Sequence, residues 1–487
     1  MRDPLAPLFP DIGLWQGRHV VLCNWRDGRH PAAGGAELYC EQVARRLSLA
    51  GVRVTYLTAR PRGAPRSETT GHGRVVRGGG RYTVYLFVLL WLALHRRGID
   101  AVVDSQNGLP FFAPLAVSRR TPVVLLVHHV HQQQFGLLLP PPLAALGRWL
   151  EAAGSRLVYG GRTVCTVSPS SRAQIRGDLG LRGPVHLAPP GLTPVAPAPR
   201  ADRPRIVCVS RMSRQKRLDH LLEALAELRD EVPDAELHLV GDGEERHRLV
   251  RVADRLGLGD AVVFHGRLPA ARRDALVASA WITALPSARE GWGLSVMEAA
   301  SAGVPAVAYD VPGLRDAIRH GETGWLVPED RGHLAPVLAH ALRVVADPVR
   351  AALLAARCRA WVGRFTWNAT AGHLLAALTA ERARPRSPRA GTAVTDTCAV
   401  VGLPRAALRR ARTEALRVTD LVDAPPDADR AGLLLAGVDE SAARDVLERA
   451  GVDTSDPRVT VRLARHGDLL GWQCHPRVHT ASPWAAR

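Results

Sequence analysis

The segment that decides the fold runs from Trp281 to Tyr309 and reads WITALPSAREGWGLSVMEAASAGVPAVAY. It begins with a short apolar strand, continues through a loop with two glycines into a helix that ends near Ala302, and closes with a second apolar strand. Two strands joined by a helix predict a β-α-β unit of a parallel sheet. The glycine loop would place free backbone N–H groups and the positive end of the helix at the sheet edge, a position that suits a phosphate.

The same alternation of strands and helices occurs in two series along the chain. The first series has predicted strands at 20–23, 52–57, 99–103, 123–127 and 164–167, and the second has them at 206–209, 236–240, 262–265, 281–285 and 305–309. The stretch from Pro189 to Pro204 is rich in proline and alanine and is interpreted as a linker. We therefore predict an α/β protein with two doubly wound parallel sheets. Residues after 381 carry no motif and are assigned no function.

Composition and charge exclude several classes of protein. The chain has 487 residues, of which 46% are hydrophobic and 23% charged, so it is not wholly disordered. The net charge is +18, but only one of the 64 basic residues is a lysine, and this arginine bias is typical of a GC-rich bacterium. The arginines form no arm with interleaved aromatic residues, so nucleic acid is not an expected partner.

Cysteine usage and hydropathy favour a cytoplasmic protein. The seven cysteines form no CxxC pair, which argues against a disulfide framework and a structural zinc site. The first residues contain no continuous apolar core, so no signal peptide is predicted. The longest apolar run, from Tyr82 to Leu94, is shorter than the roughly 18 residues of a spanning helix. We interpret it as a buried helix, with an interfacial helix on a membrane as the alternative.

Two carboxylates accompany the glycine loop of the second series. Glu290 lies in the loop itself, and Glu298 lies one or two turns into the helix that follows. Carboxylates accept hydrogen bonds from sugar hydroxyls, so a nucleotide sugar would suit both. The alternative is that Glu290 only stabilises the helix through the positive end of its dipole and that Glu298 is exposed to solvent.

Two cations follow the first strand of the second series. Arg211 and Lys216 lie between that strand and the next helix, and Lys216 is the only lysine of the chain. Retention of a compact ammonium at one position suggests that a planar guanidinium does not serve there. The pair could neutralise a diphosphate leaving group, and a solvated basic loop is the alternative.

The first series offers a glycine loop and a histidine at strand ends. Gly34 and Gly35 open a helix after the first strand, and His128 follows the strand at 123–127. Ligands of open α/β sheets bind at the carboxyl ends of strands, so we expect His128 to donate a hydrogen bond to a substrate. A plain helix start and a loop histidine without function remain the alternatives. His129 and His131 could complete a zinc site, but no carboxylate or cysteine lies close in sequence, and no metal site is predicted.

Taken together, residues 18–380 resemble the retaining family 4 glycosyltransferases. The resemblance rests on Glu290-x7-Glu298 in its glycine and tryptophan context, and on the order of several further motifs: Gly34-Gly35, Arg211/Lys216, Gly241-Asp242-Gly243 and Gly321 to Val327. It implies a GT-B architecture, in which two Rossmann-like domains face a cleft. The implied boundaries are an acceptor domain at 1–195, a donor domain at 200–360, a helix that crosses back at 361–380, and an uncharacterised extension at 381–487.

The resemblance also implies a reaction and roles for individual residues. The reaction is transfer of a sugar from a nucleotide sugar to an acceptor hydroxyl with retention of configuration, without metal or cofactor. His128 and Glu290 would be catalytic, with Glu290 on the donor sugar hydroxyls and His128 on the donor sugar at the transition state. The implied donor-binding residues are Gly34, Gly35 (through its backbone), Arg211 and Lys216 (on the diphosphate), Gly291, Trp292, Gly293, Leu294 and Glu298 (on the ribose).

The sequence departs from the family pattern at two loops. Ser210 and Arg217 stand where the family commonly has glycine, and Val311-Pro312-Gly313 stands where it often has Gly-Gly. The acceptor is expected to be a sugar or a lipid, and a lipid would favour peripheral association with the anionic inner face of the cell membrane. A UDP and a GDP donor both remain open. The alternative functions are a nucleotide-sugar epimerase of the same fold and a non-catalytic carbohydrate-binding relative.

Overall fold

The computed structural model describes residues 12–31, 33–138, 140–384, 398–411, 416, 421–423, 429–436, 438 and 440–463. Its strands, in chain order, are β1 (His19–Cys23), β2 (Arg53–Thr58), β3 (Ser67–Thr70), β4 (Gly73–Arg77), β5 (Ala101–Gln106), β6 (Val123–Val127), β7 (Val164–Thr166), β8 (Val185–Leu187), β9 (Arg205–Val209), β10 (Glu236–Val240), β11 (Val262–Gly266), β12 (Ile282–Leu285), β13 (Ala306–Tyr309), β14 (Gly324–Val327), β15 (Cys398–Pro404), β16 (Leu421–Asp423), β17 (Arg430–Ala436) and β18 (Thr460–Leu463).

The α-helices alternate with these strands. In chain order they are α1 (Gly35–Leu49), α2 (Val84–His95), α3 (Phe135–Leu138), α4 (Pro141–Trp149), α5 (Ser155–Tyr159), α6 (Pro169–Gly177), α7 (Leu218–Glu231), α8 (Arg246–Arg255), α9 (Ala270–Ala278), α10 (Leu294–Ser301), α11 (Leu314–Ala317), α12 (Leu334–Ala346), α13 (Pro348–Val362), α14 (Trp367–Ala383), α15 (Arg405–Arg410) and α16 (Glu440–Arg449).

Two large sheets confirm the predicted doubly wound architecture. The first has eight strands in the order β3-β4-β2-β1-β5-β6-β7-β8, and only its β3–β4 pair is antiparallel. The second has six parallel strands in the order β11-β10-β9-β12-β13-β14. The central strands β5 and β6 are buried throughout, as both faces of a parallel sheet are covered by helices. β6 contains only Val and Leu, whereas β5 begins with Ala-Val-Val and ends with three buried polar residues.

The edge strand β3 and its neighbour β4 had no counterpart in the sequence prediction. They form a short hairpin at the edge of the first sheet and carry polar and charged residues such as Glu68 and Arg77. Edge strands commonly lack the continuous apolar run that reveals a central strand. Arg77 is buried and pairs with Asp27 at 2.6 Å and with Glu68 at 2.5 Å, which fixes the hairpin to the loop after β1.

Helix α2 corrects the prediction of a buried helix, because only one of its faces is covered. Val84, Val88 and Leu92 are fully buried against the first sheet, whereas the opposite face is exposed. Among the described residues, no helix combines the length and the apolarity that crossing a membrane requires.

Helix α14 returns from the second sheet to the first. Thr366 caps its N-terminus by accepting from the Ala369 N–H at 3.1 Å. The helix packs on α1 and on strands β6 to β8. Glu381, near its end, is buried and accepts from Arg162 at 3.0 Å and from the Thr163 N–H at 2.9 Å. One hydrophobic cluster therefore runs from the first sheet through α14 into the second.

The extension contains a third sheet that the sequence prediction missed. Its strand order is β16-β17-β15-β18 with all neighbours antiparallel, and helices α15 and α16 complete a β-α-β-β-α-β arrangement, the ferredoxin-like topology. Asp445 of α16 accepts from Arg319 at 2.7 Å and from Arg364 at 3.1 Å. These contacts attach the small sheet to the second α/β unit.

Candidate active site

The loops at the carboxyl ends of the two large sheets meet across a cleft. Arg267 donates to the Pro31 carbonyl at 2.6 Å, and Asp316 accepts from the Ser170 N–H at 3.0 Å. A cavity of about 180 Å³ lies between the two halves, and residues from both line it: Gln133, Gln134, Gln215, Arg217, Ala288, Arg289, Pro312 and Glu329. Ligands of doubly wound sheets bind at this edge, so the cleft is the candidate active site.

The loop after β12 holds Glu290 in a fixed position. The Ser287 hydroxyl donates to Glu290 Oε1 at 2.8 Å, and the Lys216 ammonium donates to the same oxygen. The Glu290 N–H donates to the Pro312 carbonyl at 3.3 Å, so the Val311–Gly313 segment that departs from the family pattern still supports this loop. Gly293 then takes a φ of 100°, a backbone conformation that favours glycine, and α10 begins.

The loop that carries Lys216 has a left-handed backbone conformation at one of the positions where the sequence departs from the family pattern. Arg217, where the family commonly has glycine, has φ 49° and ψ 41°, the left-handed conformation that glycine adopts at least cost. The Arg217 guanidinium forms an ion pair with Glu329 at 2.7 Å, a contact that a glycine at this position could not make. The Ala288 N–H donates to the Gln215 carbonyl at 2.9 Å. The loops of Lys216 and Glu290 are therefore bonded to each other.

The glycine loop of the first half approaches the second half closely. A methyl group added to Gly35 would lie 2.9 Å from Leu294 Cδ1, and one added to Gly34 would lie 3.3 Å from the Arg211 guanidinium. Arg211 is exposed at the rim of the cleft. Its partial desolvation there lowers its pKa, and nearby Arg26 lowers it further. The structure thus brings Gly34, Gly35, Arg211 and Leu294 together.

His128 lies at the end of β6 in a chain of hydrogen bonds that fixes its tautomer. The Asn24 side-chain amide donates to the Arg26 carbonyl at 2.9 Å, which leaves Asn24 Oδ1 as an acceptor for the Ser105 hydroxyl at 3.1 Å. Because the Ser105 proton is engaged, His128 Nε2, at 3.0 Å from Ser105 Oγ, must be the donor of that bond. Burial lowers the pKa of His128 to about 3, and His129 adds to the decrease. The ring is therefore neutral at physiological pH, and Nδ1 carries a lone pair.

This arrangement differs from the sequence-based expectation that His128 donates a hydrogen bond to a substrate. Since Nε2–H is used by Ser105, the ring offers a substrate an acceptor at Nδ1. The neighbouring histidines make separate contacts: His129 Nε2 lies 3.0 Å from Gln134 Oε1, and His131 Nδ1 lies 3.2 Å from the His129 carbonyl.

Two of the expected donor-binding residues lie deeper in the second half. The Trp292 ring is only 5% exposed and packs against Phe365 with ring centroids 5.1 Å apart, so its side chain is part of the core. Glu298 lies in the second turn of α10, and its burial raises the pKa of the carboxyl, an effect that Arg273 opposes. Their contacts with a donor stay predictions.

Sequence reasoning missed several residues that hold the site together. Asn24 follows β1 directly, and Ser287 lies two residues after the end of β12, so their position near strand ends was a signal that could have found them. Asp104, at the fourth position of β5, is fully buried and accepts from the backbone N–H groups of Phe111 and Ala113, both at 2.9 Å. Its role is therefore structural.

Gly291 brings the donor loop onto the backbone of His128. A methyl group at Gly291 would clash with the His128 carbonyl oxygen and would lie 3.5 Å from Val167. A backbone carbonyl cannot rotate away as a side chain does, so we expect Gly291→Ala to prevent this approach of the two halves. The expected loss of kcat/KM is about 100-fold, with the melting temperature nearly unchanged. Gly177→Ala is the control, because a methyl group there meets nothing within 4 Å; equal activity of both variants would contradict this prediction.

Comparisons with known proteins agree with this architecture. Residues 33–194 match the family model Glycosyltransferase Family 4, and residues 194–343 match Glycosyl transferases group 1. Among solved structures, sucrose-phosphate synthase from Thermosynechococcus elongatus superposes with a TM-score of 0.63 at 24% identity, covering 74% of this chain and 99% of that one. A glycosyltransferase from Rickettsia africae superposes with a TM-score of 0.59 at 15% identity, covering 76% and 99%. These likenesses confirm the GT-B fold.

Sequence relatives extend the likeness to activity. The chain is 32% identical over 300 residues to a GDP-mannose-dependent alpha-(1-6)-phosphatidylinositol monomannoside mannosyltransferase of Mycolicibacterium smegmatis, covering 56% of this chain and 76% of the relative. It is 28% identical over 384 residues to a D-inositol 3-phosphate glycosyltransferase of Acidothermus cellulolyticus, covering 70% and 85%. The chain therefore belongs to the family 4 glycosyltransferases and is an enzyme that transfers a hexose from a nucleotide-sugar donor.

Proposed function

We propose that the protein transfers a mannosyl group from GDP-mannose to a hydroxyl of an inositol-bearing lipid, with retention of configuration and without a metal ion. The observation that carries the proposal is the bonded pair of Lys216 and Glu290, which lies where the Gly291 backbone meets that of His128. Lys216 supplies a cation for the diphosphate, and Glu290 beside it supplies a carboxylate for the sugar hydroxyls.

Each cleft residue has a role that its surroundings support. Lys216 and Arg211 stabilise the charge that develops on the leaving diphosphate, the task that a metal ion performs in other transferases. Gly34 and Gly35 let the backbone at the start of α1 approach a phosphate. Glu298 accepts from the ribose hydroxyls. Glu290, already oriented by Ser287, accepts from hydroxyls of the donor sugar.

The proposed retention of configuration uses the front face of the donor sugar. A double displacement needs a carboxylate nucleophile about 5 Å from an acid. Glu290 is engaged by Lys216 and Ser287, which suits a hydrogen-bond acceptor better than a nucleophile. In the front-face route, the leaving phosphate oxygen takes the proton of the acceptor hydroxyl as the new glycosidic bond forms. Contact between the two halves excludes water, which would otherwise hydrolyse the donor.

The identity of donor and acceptor is inferred from the relatives. One relative is named for GDP-mannose and a phosphatidylinositol mannoside, and another for inositol 3-phosphate. The inositol ring is common to both acceptors, and the first is a lipid. A lipid acceptor requires the enzyme to work at a membrane, so peripheral association with the inner face of the cell membrane is part of the proposal.

A thermal-shift panel with GDP, UDP, ADP and their sugars, with and without EDTA, tests the donor site. We expect GDP and GDP-mannose to raise the melting temperature by a few degrees, because a ligand at 100 times its Kd stabilises the native state by about 2.7 kcal/mol. EDTA should not change the shift, and Glu298→Ala should abolish it. Glu227→Ala, exposed on α7, is the matched control.

The same panel separates the alternatives. A shift with UDP alone would overturn the GDP assignment, and no shift with any nucleotide would favour a non-catalytic carbohydrate-binding protein. An epimerised donor sugar formed without acceptor would indicate an epimerase. With phosphatidylinositol as acceptor, the anomeric configuration of the product by NMR tests retention: an inverted product would contradict the front-face route.

A further inference from the structure

Helix α2 is apolar on both of its faces, although it lies on the surface. Its inward residues recur at every fourth position and are fully buried: Val84, Val88 and Leu92. Its outward residues, about 200° away around the helix, recur with the same spacing: Leu86 (61% exposed), Leu90 (55%) and Leu94 (81%). A surface helix normally has a polar outward face, so this one has the composition of a helix with a partner on both sides.

The exposed apolar residues continue beyond α2. Tyr82, just before the helix, is 70% exposed. The short turn Ala113–Leu115 packs against α2 on one side and α5 on the other, and it exposes Leu115 to 71%. Leu157 on α5 is 87% exposed. We call this set the apolar face: Tyr82, Leu86, Leu90, Leu94, Leu115 and Leu157.

The charge around the apolar face identifies the kind of partner. Residues 69–99, which contain α2 and Tyr82, hold five arginines and no aspartate or glutamate. One of the five, Arg77, is buried and paired with Asp27 and Glu68, so it does not contribute to the surface charge. The exposed ones include Arg81, Arg96 and Arg97 at the two ends of α2. In a symmetric contact between two copies of the chain, these arginines would oppose each other. An anionic surface with an apolar interior, in contrast, satisfies both the leucines and the arginines.

The position of the face relates it to the cleft. Helix α2 starts after the carboxyl end of β4, so its first turn lies at the sheet edge that carries the active-site loops. The Trp25 indole N–H, in the loop after β1, donates to the Arg81 carbonyl at 2.9 Å. The helix has 12 residues, about 18 Å, and is too short to span a bilayer. It would therefore lie in the plane of the membrane surface with Tyr82 towards the cleft.

We propose that the apolar face docks the enzyme on an anionic lipid leaflet, with the leucines in the acyl boundary and the arginines at the headgroups. This inference rests on the proposed function only for the identity of the lipid that is glycosylated there. Docking would present a lipid acceptor at the mouth of the cleft without removing its acyl chains from the bilayer.

Vesicle sedimentation of the full chain tests the docking. We compare vesicles of phosphatidylcholine alone with vesicles that also contain phosphatidylglycerol, at low salt. The wild type should sediment with the anionic vesicles, and the triple variant Leu86→Gln/Leu90→Gln/Leu94→Gln should partition on the order of 100-fold less. The matched control is Val349→Gln/Leu353→Gln on α13, whose side chains are 78% and 51% exposed, and it should bind like the wild type.

Two further arms separate charge from apolar contact. Arg81→Gln/Arg96→Gln/Arg97→Gln should weaken binding to anionic vesicles and make it less sensitive to salt, since fewer charges remain to be screened. Arg251→Gln/Arg255→Gln, exposed on α8, is the matched control. Equal binding of wild type to neutral and anionic vesicles would overturn the anionic part of the proposal.

The remaining outcomes distinguish docking from the reaction. If the wild type stays in the supernatant with anionic vesicles, or if the leucine variant sediments like the wild type, the proposal is overturned. A dimer on gel filtration that the leucine variant abolishes, without vesicle binding, would assign the face to a second copy instead. The nucleotide thermal shift is measured on every variant: its absence with intact vesicle binding would refute the proposed function and leave the docking valid.

Discussion

Replacing Lys216 with alanine is expected to lower kcat/KM by about 10²–10³-fold, the largest effect among the cleft residues. The Lys216 side chain lies within the cleft, only 16% exposed, and its ammonium is bonded to Glu290. Its loss would remove the cation from the leaving diphosphate and would leave Glu290 with Ser287 as its side-chain partner. Because the transition state carries more charge on the diphosphate than the ground state, most of the loss should appear in kcat.

Lys216→Arg tests whether the compact ammonium itself is required. The chain places arginine at all other 63 of its 64 basic positions, so this substitution follows its general preference. A planar guanidinium cannot occupy the space of an ammonium beside Glu290 without a shift of the loop. We expect Lys216→Arg to recover less than a tenth of the wild-type activity. Full activity of the arginine variant would show that charge alone suffices.

The single lysine also permits a chemical test of its location. An amine-specific acylating reagent has only Lys216 and the N-terminal amine as targets in the whole chain. Acylation removes the positive charge and should inactivate the enzyme, and saturating nucleoside diphosphate should protect it. The Arg255→Lys variant supplies a control amine on α8, which should react at the same rate with and without nucleotide. Unchanged labelling of Lys216 in the presence of a bound nucleotide would remove it from the diphosphate site.

The two α/β units could be predicted from the sequence because their strands are continuous apolar runs. Val123–Val127 and Glu236–Val240 have the predicted bounds, since turn residues or charged residues limit each run on both sides. The hairpin β3–β4 could not be found in this way, because its edge strand β3 consists of polar residues, and an edge strand need not be apolar. The sheet of the extension was also missed. Its strand β15 pairs along its whole length with β17, which lies more than twenty residues further along the chain, and such pairing leaves no local signal except an alternation of apolar and polar residues.

The candidate site could be predicted only one half at a time. Glycine loops and charged residues at strand ends identified Gly35, Lys216 and Glu290, because that position is a property of each β-α unit alone. The contact of Gly291 with the His128 backbone depends on how the two units approach each other, and no local spacing contains it. The tautomer of His128 likewise depends on Asn24 and Ser105, which come from two other strands.

Removal of the His128 side chain is the second large effect we expect, about 100-fold in kcat for His128→Ala. The ring is buried, neutral and oriented with Nδ1 available as an acceptor, so it can receive a hydrogen bond from a donor-sugar hydroxyl as charge develops on the sugar. Since the pKa of His128 is lowered to about 3, its protonation should not appear in the pH dependence of kcat between pH 5 and 9. A limb near pH 6.5 that disappears in His128→Ala would contradict this assignment.

Ser105 positions the His128 ring. Substitutions of Ser105 keep the imidazole but change which nitrogen carries the proton, so they measure how much of the activity depends on the tautomer. Ser105→Ala removes the acceptor of the Nε2 proton, so the neutral ring can adopt either tautomer and kcat should fall about tenfold, whereas Ser105→Thr keeps the hydroxyl and should restore most of the activity. Nitrogen-15 NMR of the His128 ring is the decisive readout: the wild type and Ser105→Thr should show the proton on Nε2, and Ser105→Ala a mixture. A purely structural role for Ser105 would lower the stability of the alanine variant while leaving the ring nitrogens as they are. That result would contradict the assignment of Nδ1 as the acceptor, because Nδ1 is free of a proton only if Ser105 holds the proton on the other nitrogen.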